Sequence, residues 1–408
     1  MAPTPDRPLR LLLGAFGDPG HAFPMLALAR ALVARGHAVT LESWERWREH
    51  AEAEGAAFAP APEYHVFPTR ERPLKPYQAV VRAAAQTAPL VEELRPDAVV
   101  ADILTLAPAL AAERAGVALA TLIPHVDPRM PPDGPPYSLG ARWPRGRVGR
   151  GLWRVADRVV RRGLEQGRLE LNETRRRLGL EPLDHVHGGI SRELVLVGTF
   201  PQLEYPFARP AGTHIVGPLL WEPPYEDVAL PEGDGPLVLV APSTAQDRGH
   251  RLLRAALEGL ADLPVRVLAT FNRRVPDPPL GRLPPNARVV EWLSYARTMP
   301  RCDLVVCHGG HGTVVRALAS GCAPVIAPAG GDMNENAARV DWAGAGIRLP
   351  GRFTTPRGVR LAVQRALATP SISARTRELA AWSARHDAAA RAAELVEGFA
   401  RERSVRAR

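Results

Sequence analysis

The sequence predicts an α/β protein built from two Rossmann-like, doubly wound parallel sheets that face each other across a cleft. Three observations carry that expectation. The chain has 408 residues, more than the roughly 250–300 at which a single hydrophobic core stops growing. Short apolar runs alternate with helical segments from about residue 9, and the same pattern starts again near residue 237. Between the two series lies a stretch crowded with prolines, Pro201, Pro206, Pro210, Pro218, Pro223, Pro224, Pro231 and Pro236. Such sequence connects domains rather than forming them. The expected division is an N-terminal domain over 1–217, a linker over 218–234, a C-terminal domain over 235–380 and a closing helix over 381–408.

The elements follow in order. Leu9–Gly14 is an apolar run, and Gly14, Gly17, Pro19 and Gly20 mark a turn after it. Leu26, Leu28, Leu32 and Val33 give a buried helix over Pro24–Arg35, which Gly36 stops before a strand at Ala38–Leu41. Ala98–Ala101 reads as a buried strand, Ala107–Ala115 as a helix closed by Gly116, and Val117–Ile123 as the next strand. In the second half Leu237–Val240, Val265–Thr270, Arg288–Val290, Leu304–Cys307 and Val325–Ala327 read as strands. His250–Leu260, Thr313–Ser320 and Asn336–Ala343 read as helices. Unbroken apolar runs suit strands covered on both faces, as parallel strands are.

Composition excludes several classes. The formal charge is +9, and Lys75 is the only lysine. This balance admits anionic ligands or a membrane surface without choosing between them. The sequence has no zinc-finger spacing, basic zipper or aromatic RNA-binding signature, so nucleic acid is not the expected partner. The arginine-dense stretch from Arg142 to Arg162 reads as a solvated helix face. No apolar run reaches the ~18 residues of a membrane span, and Leu9–Gly14 lacks the cleavage site of a signal peptide. A cytoplasmic protein is expected. Cys302, Cys307 and Cys322 lack disulfide arithmetic and paired zinc spacing, and read as small buried hydrophobes.

The strongest local signal is Cys307-His308-Gly309-Gly310-His311-Gly312-Thr313. An apolar strand enters it and a helix leaves it. Unpaired N–H groups at the helix start converge on one point, with His308 and Thr313 as further donors, and together they suit a diphosphate. The alternative is a tight turn with Thr313 as an N-cap. The run lacks the Gly-Lys-Ser/Thr end of a Walker A loop, and Gly14, Gly17 and Gly20 lack dinucleotide spacing. Asp332, in the next loop at the same sheet edge, would repel phosphate. It therefore either accepts hydrogen bonds from sugar hydroxyls or caps the helix that follows.

The run His308–Gly312, followed by Gly321, Pro324, Asp332 and Asn336, resembles the donor signature of family 1 nucleotide-sugar glycosyltransferases. Gly20-His21-Ala22-Phe23-Pro24 and Arg35-Gly36-His37 resemble the amino-terminal part of the same family, so the likeness spans both halves. It implies the GT-B fold, a C-terminal domain that binds a UDP-sugar or dTDP-sugar, an N-terminal domain that binds the acceptor, and a last helix that crosses back. It also implies that His308 and the amides of Gly310, Gly312 and Thr313 hold the diphosphate, with Ser243 and Thr244 on the same phosphates. Trp292 would stack on the base, and Asp332 and Met333 would stand at the sugar. Three positions depart from the pattern. Arg316 replaces a glutamate that in many members grips both ribose hydroxyls, and arginine has no acceptor for them. That departure fits a deoxyribose donor. Met333 replaces the usual glutamine, and His311 occupies a variable position.

At the reacting end, His21 is expected in the loop after the first strand, and Asp102 just after Ala98–Ala101, at the same sheet edge. A glycosyl transfer with inversion needs a base for the acceptor hydroxyl, and imidazole suits it. A carboxylate would hold the ring's tautomer. The family resemblance makes the same assignment, His21 as base and Asp102 as its partner. The expected reaction needs no metal and no cofactor beyond the nucleotide-sugar. His65, His125 and Tyr137 are expected to border a pocket for a small lipophilic acceptor of polyketide or phenolic type, whereas His37 reads as structural. Two other readings are a lipid acceptor met at the membrane surface, and a nucleotide-sugar-binding protein without catalysis.

Overall fold

Leucine and valine runs form the strands, and their lack of polar alternation matches burial on both faces. The computed structural model of the chain describes residues 7–61, 76–243 and 247–406. The first half runs β1 (Arg10–Gly14), α1 (Pro19–Ala34), β2 (Ala38–Ser43), α2 (Arg48–Ala53), β3 (Ala57–Pro60), α3 (Pro76–Leu94), β4 (Ala98–Asp102), α4 (Leu106–Arg114), β5 (Ala118–Ile123), α5 (Arg147–Arg177), β6 (Leu194–Val197) and β7 (Thr213–Ile215). The second half runs β8 (Leu237–Ala241), α6 (Arg251–Leu260), β9 (Arg266–Thr270), β10 (Ala287–Val290), α7 (Tyr295–Thr298), β11 (Leu304–Cys307), α8 (His311–Ala319), β12 (Ala323–Ile326), α9 (Asp332–Trp342), β13 (Ile347–Arg348), α10 (Pro356–Leu367), α11 (Pro370–Arg385) and α12 (Ala388–Arg406). Residues 216–236 contain neither helix nor strand.

Each half has one sheet, and all the strand pairs are parallel. The orders are β3-β2-β1-β4-β5-β6-β7 and β10-β9-β8-β11-β12-β13. Both reverse direction beside their first strand, between β1 and β4 and between β8 and β11. Loops leaving adjacent strands at such a point diverge and leave a crevice at the carboxyl ends. Gly14 pairs with Ala101, and Ala241 with Cys307, so the two pairs of loops leave their strands side by side.

The first core packs the N-terminal sheet against α1 and α12, with Ala392, Ala393, Val396 and Ala400 completely buried. Small side chains let α12 lie close on α1. Glu397 anchors it, taking Arg35 at 2.7 Å and standing 3.4 Å from His37 Nε2. His37 Nδ1 accepts the Leu9 N–H at 3.3 Å, so this histidine serves structure. A second core lies within the C-terminal half. A third is shared, with Val126, Phe200 and Leu203 from the first half packed among Leu239, Val305 and Leu318 of the second.

Several boundaries differ from expectation for one physical reason. α1 begins at Pro19 rather than Pro24, α8 at His311 rather than Thr313, and α9 at Asp332 rather than Asn336. From sequence alone, glycine and proline there read as turn residues. Pro19 stands at a helical first position, where its missing N–H costs nothing, and Gly310 and Gly331 are N-caps. His21 thus sits on the first turn of α1, not in a loop. The three cysteines are buried and free, and burial pushes the thiols of Cys302 and Cys307 up to about 12. Among the described residues no helix is long and apolar enough to cross a membrane.

Candidate active site

Asp18 has extended backbone angles, and its carbonyl accepts the N–H groups of His21 and Ala22, both at 2.9 Å. This start of α1 directs the His21 ring over the end of β4. His21 Nδ1 lies 2.8 Å from Asp102 Oδ2, and Asp102 Oδ1 accepts the Leu104 N–H at 2.8 Å. The carboxylate is 0 % exposed and the imidazole 16 %, so one partner is dry while the other is reachable. Because Nδ1 donates to the carboxylate, the Nε2 lone pair is left for chemistry. Burial disfavours the charged ring, but Asp102, with smaller help from Asp18 and Asp332, outweighs it and raises the His21 pKa.

The second crevice repeats this arrangement with different chemistry. His308 follows β11, and its Nδ1 accepts the Ser243 N–H at 3.0 Å from the loop after β8. The ring proton therefore sits on Nε2, a donor 3.8 Å from Asp247. Burial lowers the His308 pKa against the pull of Asp247, which favours the neutral ring. Gly309 has φ +84°, and a Cβ there would fall 2.5 Å from Ile326 Cγ2, so the turn itself demands glycine. Gly310 and Gly312 are different. Their backbone angles suit any residue and a Cβ would meet nothing within 4 Å. The fold does not require glycine at either place; close approach of a ligand to the helix start would. The first amides of α8 have no partner within the helix.

The two crevices open into one cavity of about 410 Å³. His21 and His125 line it from the first half, and Ser243, Trp292, His308, Gly310, Gly312, Thr313, Asp332 and Met333 from the second. His125 donates from Nδ1 to Val126 O at 2.8 Å, its ring lies 6.1 Å from that of His21, and Tyr137 stacks on it at 6.0 Å. Burial lowers the His125 pKa. The ring of Trp292 carries the Arg273 guanidinium 4.7 Å from its centre, and its buried Nε1 has no partner among the described residues. Thr244 and His65 lie outside the described residues.

Sequence reasoning missed part of the lining. Leu219, Leu220, Trp221 and Glu222 belong to the proline-rich connection, yet they form cavity wall. Glu222 accepts the N–H groups of Tyr295 and Ala296 at 2.9 and 2.8 Å and so caps α7. Arg316 lines the same wall, and its Nη2 donates to Trp221 O at 3.4 Å. Burial lowers its pKa. His311 faces oxygen on both sides, Asn336 Oδ1 at 3.4 Å and Gly198 O of the other half at 3.3 Å. Burial pushes its pKa down to about 3, so the ring is neutral and donates to one of them. The one available signal for these residues was tryptophan and glutamate placed among prolines.

Residues 254–397 match the family described as erythromycin biosynthesis protein CIII-like, C-terminal domain. 4′-Demethylrebeccamycin synthase of Lentzea aerocolonigenes is 30% identical over 424 aligned positions, covering 96% of this chain and 99% of that protein. Among solved structures, the glycotransferase of kitacinnamycin shares the fold with a TM-score of 0.77 at 24% identity, covering 96% of this chain and 99% of its own. SsfS6 of Streptomyces sp. SF2575, complexed with thymidine diphosphate, does so with a TM-score of 0.64 at 22% identity, covering 96% and 99%.

Proposed function

Since this chain belongs to the family 1 natural-product glycosyltransferases of GT-B fold, we propose that it moves a sugar from a dTDP-sugar or UDP-sugar to a small lipophilic acceptor, with inversion and without a metal. His21 Nε2 takes the proton of the acceptor hydroxyl as its oxygen attacks the anomeric carbon. The bond from that carbon to the diphosphate breaks on the opposite face, and its electron pair leaves on the phosphate oxygen. The amides of Gly310, Gly312 and Thr313 and the Nε2–H of His308 meet that charge, the part a cation would otherwise play. Asp102 stabilises the imidazolium. Ser243 and Thr244 add phosphate contacts, Trp292 takes the base, and Asp332 and Met333 face the sugar. His65, His125 and Tyr137 border the acceptor.

One observation carries this reading: His21, held at 2.8 Å by Asp102, shares a single cavity with the start of α8. Arg316, a side chain without acceptors in the cavity wall, supports dTDP over UDP, and the thymidine diphosphate bound to SsfS6 agrees with it. A melting panel with dTDP-, UDP- and GDP-sugars tests the donor, since a ligand selective for the native state raises the midpoint. The largest rise is expected with dTDP-sugars. NMR of the product tests the stereochemistry; a retained anomeric configuration would rule out the single displacement.

A lipid-borne acceptor is the second reading, and one surface favours it. Val148, Leu152, Val155 and Val159 are each at least two-thirds exposed and form one stripe along α5, with Arg147, Arg158 and Arg162 alongside. Sedimentation with anionic vesicles that is lost at about 0.5 M salt would support it. Absence of binding at low salt would leave the soluble acceptor.

A further inference from the structure

A completely buried guanidinium ties the two halves together behind the cavity. Arg339 lies on the third turn of α9 and is 0 % exposed. Its Nε donates to Glu335 of the same helix at 2.8 Å. Nη1 donates to Glu204 Oε2 at 2.6 Å and to Leu203 O at 3.3 Å. Nη2 donates to Asp127 O at 3.4 Å and reaches Met130 Sδ at the same distance. The Tyr205 ring centre lies 4.3 Å from its Cζ. Every partner except Glu335 comes from the N-terminal half. Glu204 also accepts the Asp127 N–H at 2.8 Å, so one carboxylate holds both the guanidinium and the loop after β5.

Both ends of this clasp run into the site. Asp127 is two residues beyond His125, which stands beside His21. Arg339 is two turns beyond Asp332 and Met333 on the same helix. A buried ion pair adds little net stability over apolar packing, and the shared core alongside already supplies that packing. What a rigid fork adds is direction: donors bound at fixed angles set both translation and rotation of α9.

We propose that Arg339, paired with Glu204, is a positioning residue that holds the sugar-facing start of α9 in register with His21 across the cleft. The inference rests on the transfer reaction proposed above. Arg339→Lys keeps the charge and loses the fork, Glu204→Gln keeps an acceptor and loses the charge, and the pair Arg339→Met with Glu335→Gln leaves no unpaired ion, because Glu204 keeps Arg209 at 2.6 Å. Each is measured for dTDP affinity, for hydrolysis of the donor by water, and for transfer to acceptor. The expected result is dTDP affinity and hydrolysis within about threefold of wild type while transfer kcat falls ~10–100-fold, the scale of an ångström of misplacement. Arg339→Lys is expected to retain more transfer than the doubly neutral variant. Transfer at wild-type rate in folded variants would overturn the inference, as would parallel loss of nucleotide binding and transfer. The wild-type reaction is the control that separates the two ideas. A wild type that transfers no sugar contradicts the proposed function; a wild type and variants that transfer equally well contradict the clasp alone.

Discussion

At His21 one hydrogen bond does two jobs: it fixes the tautomer, and it moves the pKa. Only the neutral ring can take a proton, so with His21 as the proposed base transfer is expected to be lost as pH falls through the His21 pKa. Asp102 favours the charged ring and raises that value, which places the rising limb of the pH profile above the ordinary 6.5. In Asp102→Asn the limb is expected at lower pH, and the plateau about 10²–10⁴-fold lower because the ring tautomer is no longer held. Saturating kinetics across pH check both, and an unmoved limb would break the pairing. The places of Asp102 and His308 were legible because each is a polar residue at the end of an apolar run, and that of His21 because it follows the glycine-bounded turn after one, where ligands collect in parallel sheets. Glu204, Glu222 and Arg339 were not. Apart from Glu335 beside Arg339 and Arg209 beside Glu204, their partners lie far away in sequence, and nothing local distinguishes them from surface charges.

The glycines around the start of α8 divide into two kinds. The fold requires glycine at Gly309, whereas a Cβ at Gly310 or Gly312 would meet nothing within 4 Å, which is the room the proposed diphosphate needs. Gly309→Ala is expected to cost ~1–2 kcal/mol through its positive φ and the crowding by Ile326. It should also weaken dTDP binding, because His308 moves with the turn. Gly312→Ala should melt within about a degree of wild type and still bind dTDP several-fold less tightly. Calorimetric titration beside melting curves separates them; equal behaviour in both assays would mean that no ligand comes close to the backbone there. At this scale the elements expected from the sequence were right in kind and less so in their edges, while α3 and β6 lie where none was expected. β7 and β13, with three and two residues, are too short to show a period. α1 and α9 began early because proline at a first position and glycine at an N-cap start helices as readily as they end them.

The whole molecule uses one topology twice. Each sheet reverses strand order beside its first strand, and the two crevices meet in one cavity. Two alternating series of strands and helices made this plan visible in the sequence. The seam between the halves stayed hidden, because Val126, Phe200 and Leu203 belong to segments without regular periodicity. So did the part of the connection that walls the cavity, since prolines signal a lack of regular structure but not where the chain passes. The central claim is that this cavity brings a base in one lobe to a sugar held by the other. The most direct measurement compares His21→Ala with wild type for dTDP affinity and for sugar transfer in the same preparation. Unchanged affinity with transfer reduced at least ~10²-fold is expected. Transfer at the wild-type rate would contradict the account.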